Sequence, residues 1–183
     1  MKIEARDVFT PANAVSLIGL GLTIHGATEL NSLQGVIEIG LGRAMDVLDG
    51  PIARRTHASR FGAALDAVSD KIAIGALIVG SWQYDTVPKP VIGLIAAQNV
   101  ISAGISVYAE KQKLDMDSSK DGKHSMFLNI LAMGSFALSS VVESAGLERG
   151  LEVAGIAAAI GGLTLGTKAI IGYARHTFGH RKQ

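Results

Sequence analysis

The sequence predicts an all-α integral membrane protein, a bundle of six transmembrane helices with both termini cytoplasmic. Three observations predict it. Hydrophobic residues make up 48% of the 183, charged residues only 18%, and mean hydropathy is +0.33. Apolar runs of about 20 residues, the length that crosses a hydrocarbon core of about 30 Å, follow one another along nearly the whole chain. Basic residues gather in alternate connections, as cytoplasmic loops require. The 22 glycines suit helices that approach closely in lipid, where small residues replace large side chains at crossings.

A short juxtamembrane segment, residues 1–10, mixes charge with Ile3, Val8 and Phe9 and is expected to lie on the inner surface. The first span, residues 11–28, begins at Pro11 with polar Asn13 and Ser16. It lacks a small-residue cleavage pattern, which favours a helix of the mature protein over a removable leader. The second span covers 33–54 and the third 61–82, with Trp82 and Tyr84 at its outer, interfacial end. The fourth covers 90–108, the fifth 126–145 and the sixth 151–173, where Gly162 and Gly166 make a small-xxx-small pair. Gly19, Gly21, Gly35, Gly40, Gly42, Gly75, Gly80 and Gly155 are expected to be further close-approach points. Nothing in composition divides the chain into two domains, so residues 1–183 are read as one. On this plan twelve Lys and Arg fall on one side, and only Lys89 and Arg149 on the other. A formal net charge of +1 gives no electrostatic reason to expect a nucleic-acid partner, and the absence of cysteine excludes thiolate chemistry.

Four carboxylates stand in these apolar runs. Asp46 and Asp49 lie at i and i+3 in the second, and Asp66 and Asp70 at i and i+4 in the third, each pair on one helix face. Each costs about 2.5–3.5 kcal/mol at a helix centre on the mildest scales, so a cation is required to hold four together. All-oxygen ligation points to a hard ion, Mg²⁺, Mn²⁺ or Ca²⁺, rather than zinc, since no cysteine and no suitably spaced histidine accompanies the acids. Gly50, Ala53 and Gly62 leave room beside the acids, and Arg54, Arg55 and Arg60 ring the cytoplasmic mouth, an arrangement suited to pyrophosphate. Pro51 removes one helical hydrogen bond near the site. Glu38 and Arg43, also within the second span, can pair with each other, with neighbours, or line an acceptor pocket.

The stretch DVLDGPIARRTHASRFGAALDAVSD resembles the signature of the CDP-alcohol phosphatidyltransferases at eight positions: Asp46, Asp49, Gly50, Ala53, Arg54, Gly62, Asp66 and Asp70. Seven residues separate Arg54 from Gly62, one fewer than the family spacing used for comparison. The resemblance implies metal-dependent transfer of a phosphatidyl group from CDP-diacylglycerol to a small alcohol with release of CMP, in the cell membrane and facing the cytoplasm. It implies Asp46, Asp49, Asp66 and Asp70 as metal ligands and Asp70 also as catalytic base. CDP-diacylglycerol binding falls to Asp46, Asp49, Gly50, Ala53, Arg54, Gly62 and Asp66, with Asn13 added by similarity to a polar start seen in relatives. For Asn13 and Ser16, local capping of the first helix stands as an equal reading. Gly122 and Lys123 resemble a Gly-Lys element of phosphatidylglycerophosphate synthases, so Lys123 is either an acceptor ligand or a positive-inside anchor. Arg60, Lys123 and Arg55 are the candidates for acceptor binding. Glycerol 3-phosphate is the first-choice acceptor and inositol phosphate the next, and a homodimer is implied. A small divalent-cation carrier and an inactive family relative are the competing readings.

Overall fold

A computed structural model of the chain describes residues 5–8, 10–55, 59–112 and 119–179. The described residues form helices and turns, without strands: one helical turn, α1 (Ala5–Val8), and six long helices, α2 (Pro11–Thr28), α3 (Leu33–Arg55), α4 (Arg60–Gln83), α5 (Lys89–Lys111), α6 (Lys120–Ser139) and α7 (Ala145–Gly179). The first four long helices match the predicted spans to within three residues at either end. The last two do not. α6 starts at Lys120 because Ser119 caps it, accepting a hydrogen bond from the Gly122 amide. It stops at Ser139, where Ser139 and Ser140 turn their hydroxyls onto carbonyls three residues back. α7 runs beyond its apolar centre at both ends.

Two helices among the described residues are long and apolar enough to cross a membrane by length and composition alone, Lys89–Ala109 and Ala145–Thr177. The charges of Glu38, Arg43, Asp46 and Asp49 in α3, and of Asp66, Asp70 and Lys71 in α4, interrupt the apolar runs of those helices.

The chain forms two compact units, Met1–Thr86 and Val87–Gln183. In the first, α2 packs against both α3 and α4, while α3 and α4 make no comparable backbone contact with each other. The close approaches give the directions. A Cβ on Gly19 would come to 2.8 Å from the Gly42 carbonyl oxygen, and one on Gly35 to 2.8 Å from that of Gly26, so α2 and α3 run antiparallel. Gly62 lies against Asn13 and Gly80 against Ala27, so α4 runs parallel to α2. The Tyr84 hydroxyl donates to the Thr28 carbonyl and ties the far ends of α2 and α4 together. Gly21, Gly40 and Gly75, expected at crossings, meet nothing within 4 Å.

In the second unit, α7 packs on α6 and α5. Gly155 lies against the Phe136 ring, Gly162 against Asn129 and Gly122 against the Tyr173 hydroxyl, an antiparallel α6/α7 pair. Gln98 of α5 donates to the Leu163 carbonyl at 2.9 Å and accepts from Ser125 and Asn129, while Ser125 also donates to the Gly162 carbonyl at 2.7 Å. The glycines at 162 and 166 make room for this network. Both units bury polar residues and expose apolar ones: Ser16, Thr23, Ser81, Gln98 and Asn129 face inward while Leu17, Val47, Val79, Val100 and Phe127 face outward, Val47 with 73% of its surface exposed.

Candidate active site

The site belongs to the first unit, at the end where α2 and α4 begin and α3 finishes. Thr10 caps α2, its hydroxyl accepting from the Asn13 amide at 3.0 Å, so Asn13 is not itself the cap. The Asn13 side-chain amide donates instead to the carbonyls of Asp7 and Val8, at 3.1 and 2.8 Å, and holds α1 over the start of α2. Ser59 caps α4, accepting from the Gly62 amide at 2.9 Å and donating to the Asp7 carbonyl at 3.1 Å. Gly62 sits close against the Asn13 side chain: a Cβ there would stand 2.9 Å from Asn13 Oδ1 and would displace it.

One turn further along α2, the Ser16 hydroxyl donates to Asp49 Oδ2. Asp49 is buried, 6% exposed. Its carboxylate meets those of Asp46 and Asp66, with one oxygen from each lying within 4.8 Å of the others. Metal–oxygen distances of about 2.0–2.6 Å place the oxygens of one coordination shell at most about 4–5 Å apart, so this all-oxygen trio could hold one hard divalent ion. Because α3 and α4 are held apart on α2, the acids bridge an open cleft rather than a packed interface.

Asp70 stands outside the trio. Arg43, one turn before Asp46, places Nη2 at 2.7 Å from Asp46 Oδ2 and 2.8 Å from Asp70 Oδ1, joining α3 to α4. Glu38 takes other partners, His25 at 2.5 Å and Gln34 at 2.9 Å. Arg43 therefore pairs with neighbours, the second of the alternatives the sequence leaves open. Sequence reasoning offered no signal for the Ser16–Asp49 bond, which joins residues 33 apart. For Arg43 the signal is a charge inside an apolar run, on the same helix face as Asp46.

Gly50 and Ala53 are half-buried on α3, and the helix continues through Pro51. Among the described residues, a Cβ on Gly50 would meet only Arg54 within 4 Å, at 3.7 Å, so the glycine leaves open space beside the acids. Arg54 and Arg55 are exposed in the last turn of α3, where they also complement the helix dipole. Arg60 opens α4; its side chain, and the connection 56–58, lie outside the described residues. Lys123 is exposed in the first turn of α6, in the second unit.

Three carboxylates that could hold a metal ion, an arginine bridge to a fourth and a glycine beside them make up the site of a membrane-family transferase rather than a packed helical crossing. The family model for CDP-alcohol phosphatidyltransferase matches residues 6–166, and the chain belongs to that family. It is similar to the CDP-diacylglycerol–glycerol-3-phosphate 3-phosphatidyltransferase of Rickettsia bellii, 26% identical over 143 residues that cover 76% of this chain and 79% of that protein. A probable cardiolipin synthase (CMP-forming) of Drosophila melanogaster is 38% identical over 61 residues, 32% of this chain and 19% of the fly protein. The crystal structure of Mycobacterium tuberculosis phosphatidylinositol phosphate synthase with CDP-DAG bound has a similar fold. Its TM-score is 0.53 at 21% identity, over 89% of this chain and 87% of that one.

Proposed function

We propose that this chain transfers the phosphatidyl group of CDP-diacylglycerol to a small alcohol and releases CMP, with glycerol 3-phosphate the first-choice acceptor and inositol phosphate the next. The observation that carries this reading is the convergence of Asp46, Asp49 and Asp66 across one cleft, with Asp70 facing them through Arg43. The family match through both units supports reading residues 1–183 as one catalytic domain. The curated Rickettsia relatives support the acceptor.

The trio holds the divalent ion, and the open space beside Gly50 and Ala53 receives the nucleotide. When bound, Mg²⁺ or Mn²⁺ supplies positive charge against the pyrophosphate and the departing CMP. Arg54 adds a cation at the mouth of the cleft. Asp70 takes the proton of the acceptor hydroxyl as its oxygen attacks the lipid-linked phosphorus; the new P–O bond forms as the bond to CMP breaks. Arg43 engages Oδ1 of Asp70, which leaves Oδ2 to accept that proton. Arg55, Arg60 and Lys123 are the basic residues assigned to the acceptor's phosphate.

The chain is read as spanning the membrane six times with both ends cytoplasmic, supported by the twelve-to-two distribution of basic residues and by the outward-facing apolar surface of both units. A homodimer belongs to the same reading and rests on family membership. The test is CMP release by the purified protein with CDP-diacylglycerol, Mg²⁺ and a panel of acceptors. Glycerol 3-phosphate is expected to give the highest kcat/KM; release with an uncharged alcohol alone would overturn the acceptor assignment, and no CMP with any acceptor would overturn the reaction.

A further inference from the structure

α1 is a single helical turn, Ala5–Val8, too short to keep its shape unaided. Side chains from two other helices hold it. The Asp7 carbonyl, one of those a helix end leaves without an internal partner, accepts from the Asn13 side-chain amide on α2 at 3.1 Å and from the Ser59 hydroxyl at the head of α4 at 3.1 Å. Asn13 also donates to the Val8 carbonyl at 2.8 Å. We propose that α1 is a strap tying the heads of α2 and α4 together, and that Ser59, through it, is a positioning residue for CDP-diacylglycerol binding. The inference rests on reading the cleft as the CDP-diacylglycerol site.

Ser59 uses both halves of one hydroxyl. Its oxygen caps α4 by accepting from the Gly62 amide at 2.9 Å, while its hydrogen goes to a carbonyl 52 residues away, a bond that capping does not require. This knot lies one turn from the acids on both helices. Ser16, which donates to Asp49, follows Asn13 by three residues on α2, and Asp66 follows Gly62 by four on α4. Gly62 and Asn13 bring the two heads together at the same level. The spacing of the heads therefore sets where Asp66 stands relative to Asp49, and with it the fit of the cleft to a pyrophosphate. Asp70 is placed differently, because Arg43 holds it from α3 at 2.8 Å. A looser strap leaves the proton acceptor where it is.

Ser59→Gly keeps a residue that caps tolerate and removes the donor, whereas Ser59→Thr keeps both functions. Each is tested in the full-length protein in detergent micelles, with CDP-diacylglycerol binding, CMP release and the EPR mobility of a nitroxide on Arg6→Cys measured together. The chain has no native cysteine to take the label. Ser59→Gly is expected to mobilise the label and to weaken CDP-diacylglycerol binding about three- to tenfold, the worth of one net hydrogen bond, with kcat within about twofold of wild type. Ser59→Thr is expected to match the wild type in both. If Ser59→Gly does not fold, Ser59→Asp, an equally good cap that cannot donate when ionised, takes its place. A mobile label with unchanged affinity, a label as restrained as in the wild type, or an equal loss in Ser59→Thr would overturn the proposal while leaving the reaction intact. A wild type that neither binds CDP-diacylglycerol nor releases CMP would remove the proposed function and this inference with it.

Discussion

Asp49 is the most deeply buried of the four acids, and its environment explains how a carboxylate is kept there. The Ser16 hydroxyl donates to its Oδ2, and its carboxylate groups with those of Asp46 and Asp66. A hydrogen bond to a charged group is worth about 1.5–3 kcal/mol, so Ser16→Ala should weaken metal and CDP-diacylglycerol affinity by about ten- to a hundredfold with little change in kcat. Equilibrium binding of both ligands would check it; a variant with wild-type affinities would detach Ser16 from the site. Asp46→Asn and Asp49→Asn should each reduce metal affinity more severely, because each removes a charge from the trio. The acids themselves were legible in the sequence, since eight spaced residues fall within one 25-residue stretch. Ser16 was not, because its partner lies 33 residues away, and the bridge from Arg43 to Asp70 crosses 27. Contacts of that separation depend on how helices are set against each other, which local spacing does not carry.

At the scale of elements, the cleft exists because α2 holds α3 and α4 without letting them close on one another. The α2/α3 crossing relies on Gly19 and Gly42: a Cβ on Gly19 would come within 2.8 Å of the Gly42 oxygen and 3.0 Å of Met45 Cβ, where backbone has no room to yield. Gly19→Leu should therefore destabilise the protein by about 1–3 kcal/mol or more, as overpacking does, whereas Gly21→Leu, in open space, should not. Thermal unfolding in one detergent compares them directly; equal melting temperatures would mean that the crossing is not the tight contact described. Composition could not separate these glycines, because both occur in the same apolar run two residues apart. Helix limits were similarly uneven in their legibility. Pro11 marks the start of α2 openly, but α6 begins inside a charged segment that hydropathy assigns to a loop, and only the Ser119 cap reveals it.

In both units, polar side chains such as Ser16, Thr23, Ser81, Gln98 and Asn129 are buried while large apolar ones such as Val47, Val79, Val100 and Phe127 are exposed, an arrangement that a lipid-facing surface would favour. The proposed topology is open to a clean measurement because the sequence contains no cysteine. Lys111→Cys and Arg175→Cys should react with a membrane-impermeant thiol reagent only from the cytoplasmic side, and Arg149→Cys only from the opposite one. Labelling of Arg149→Cys and Arg175→Cys from the same side would contradict the number of crossings or their direction.

The central claim is that one cleft divides its labour, Asp46, Asp49 and Asp66 holding the ion and nucleotide while Asp70 moves the proton. It is tested most directly by Asp70→Asn, with CDP-diacylglycerol binding and CMP release measured on the same preparation at saturating Mg²⁺. An amide keeps one oxygen and can still meet Arg43's neighbourhood, but it does not take a proton from the acceptor hydroxyl. The account predicts binding within a few fold of wild type and a fall in kcat of about 10²–10⁴, the range of general-base catalysis. Near-normal turnover in Asp70→Asn would contradict it.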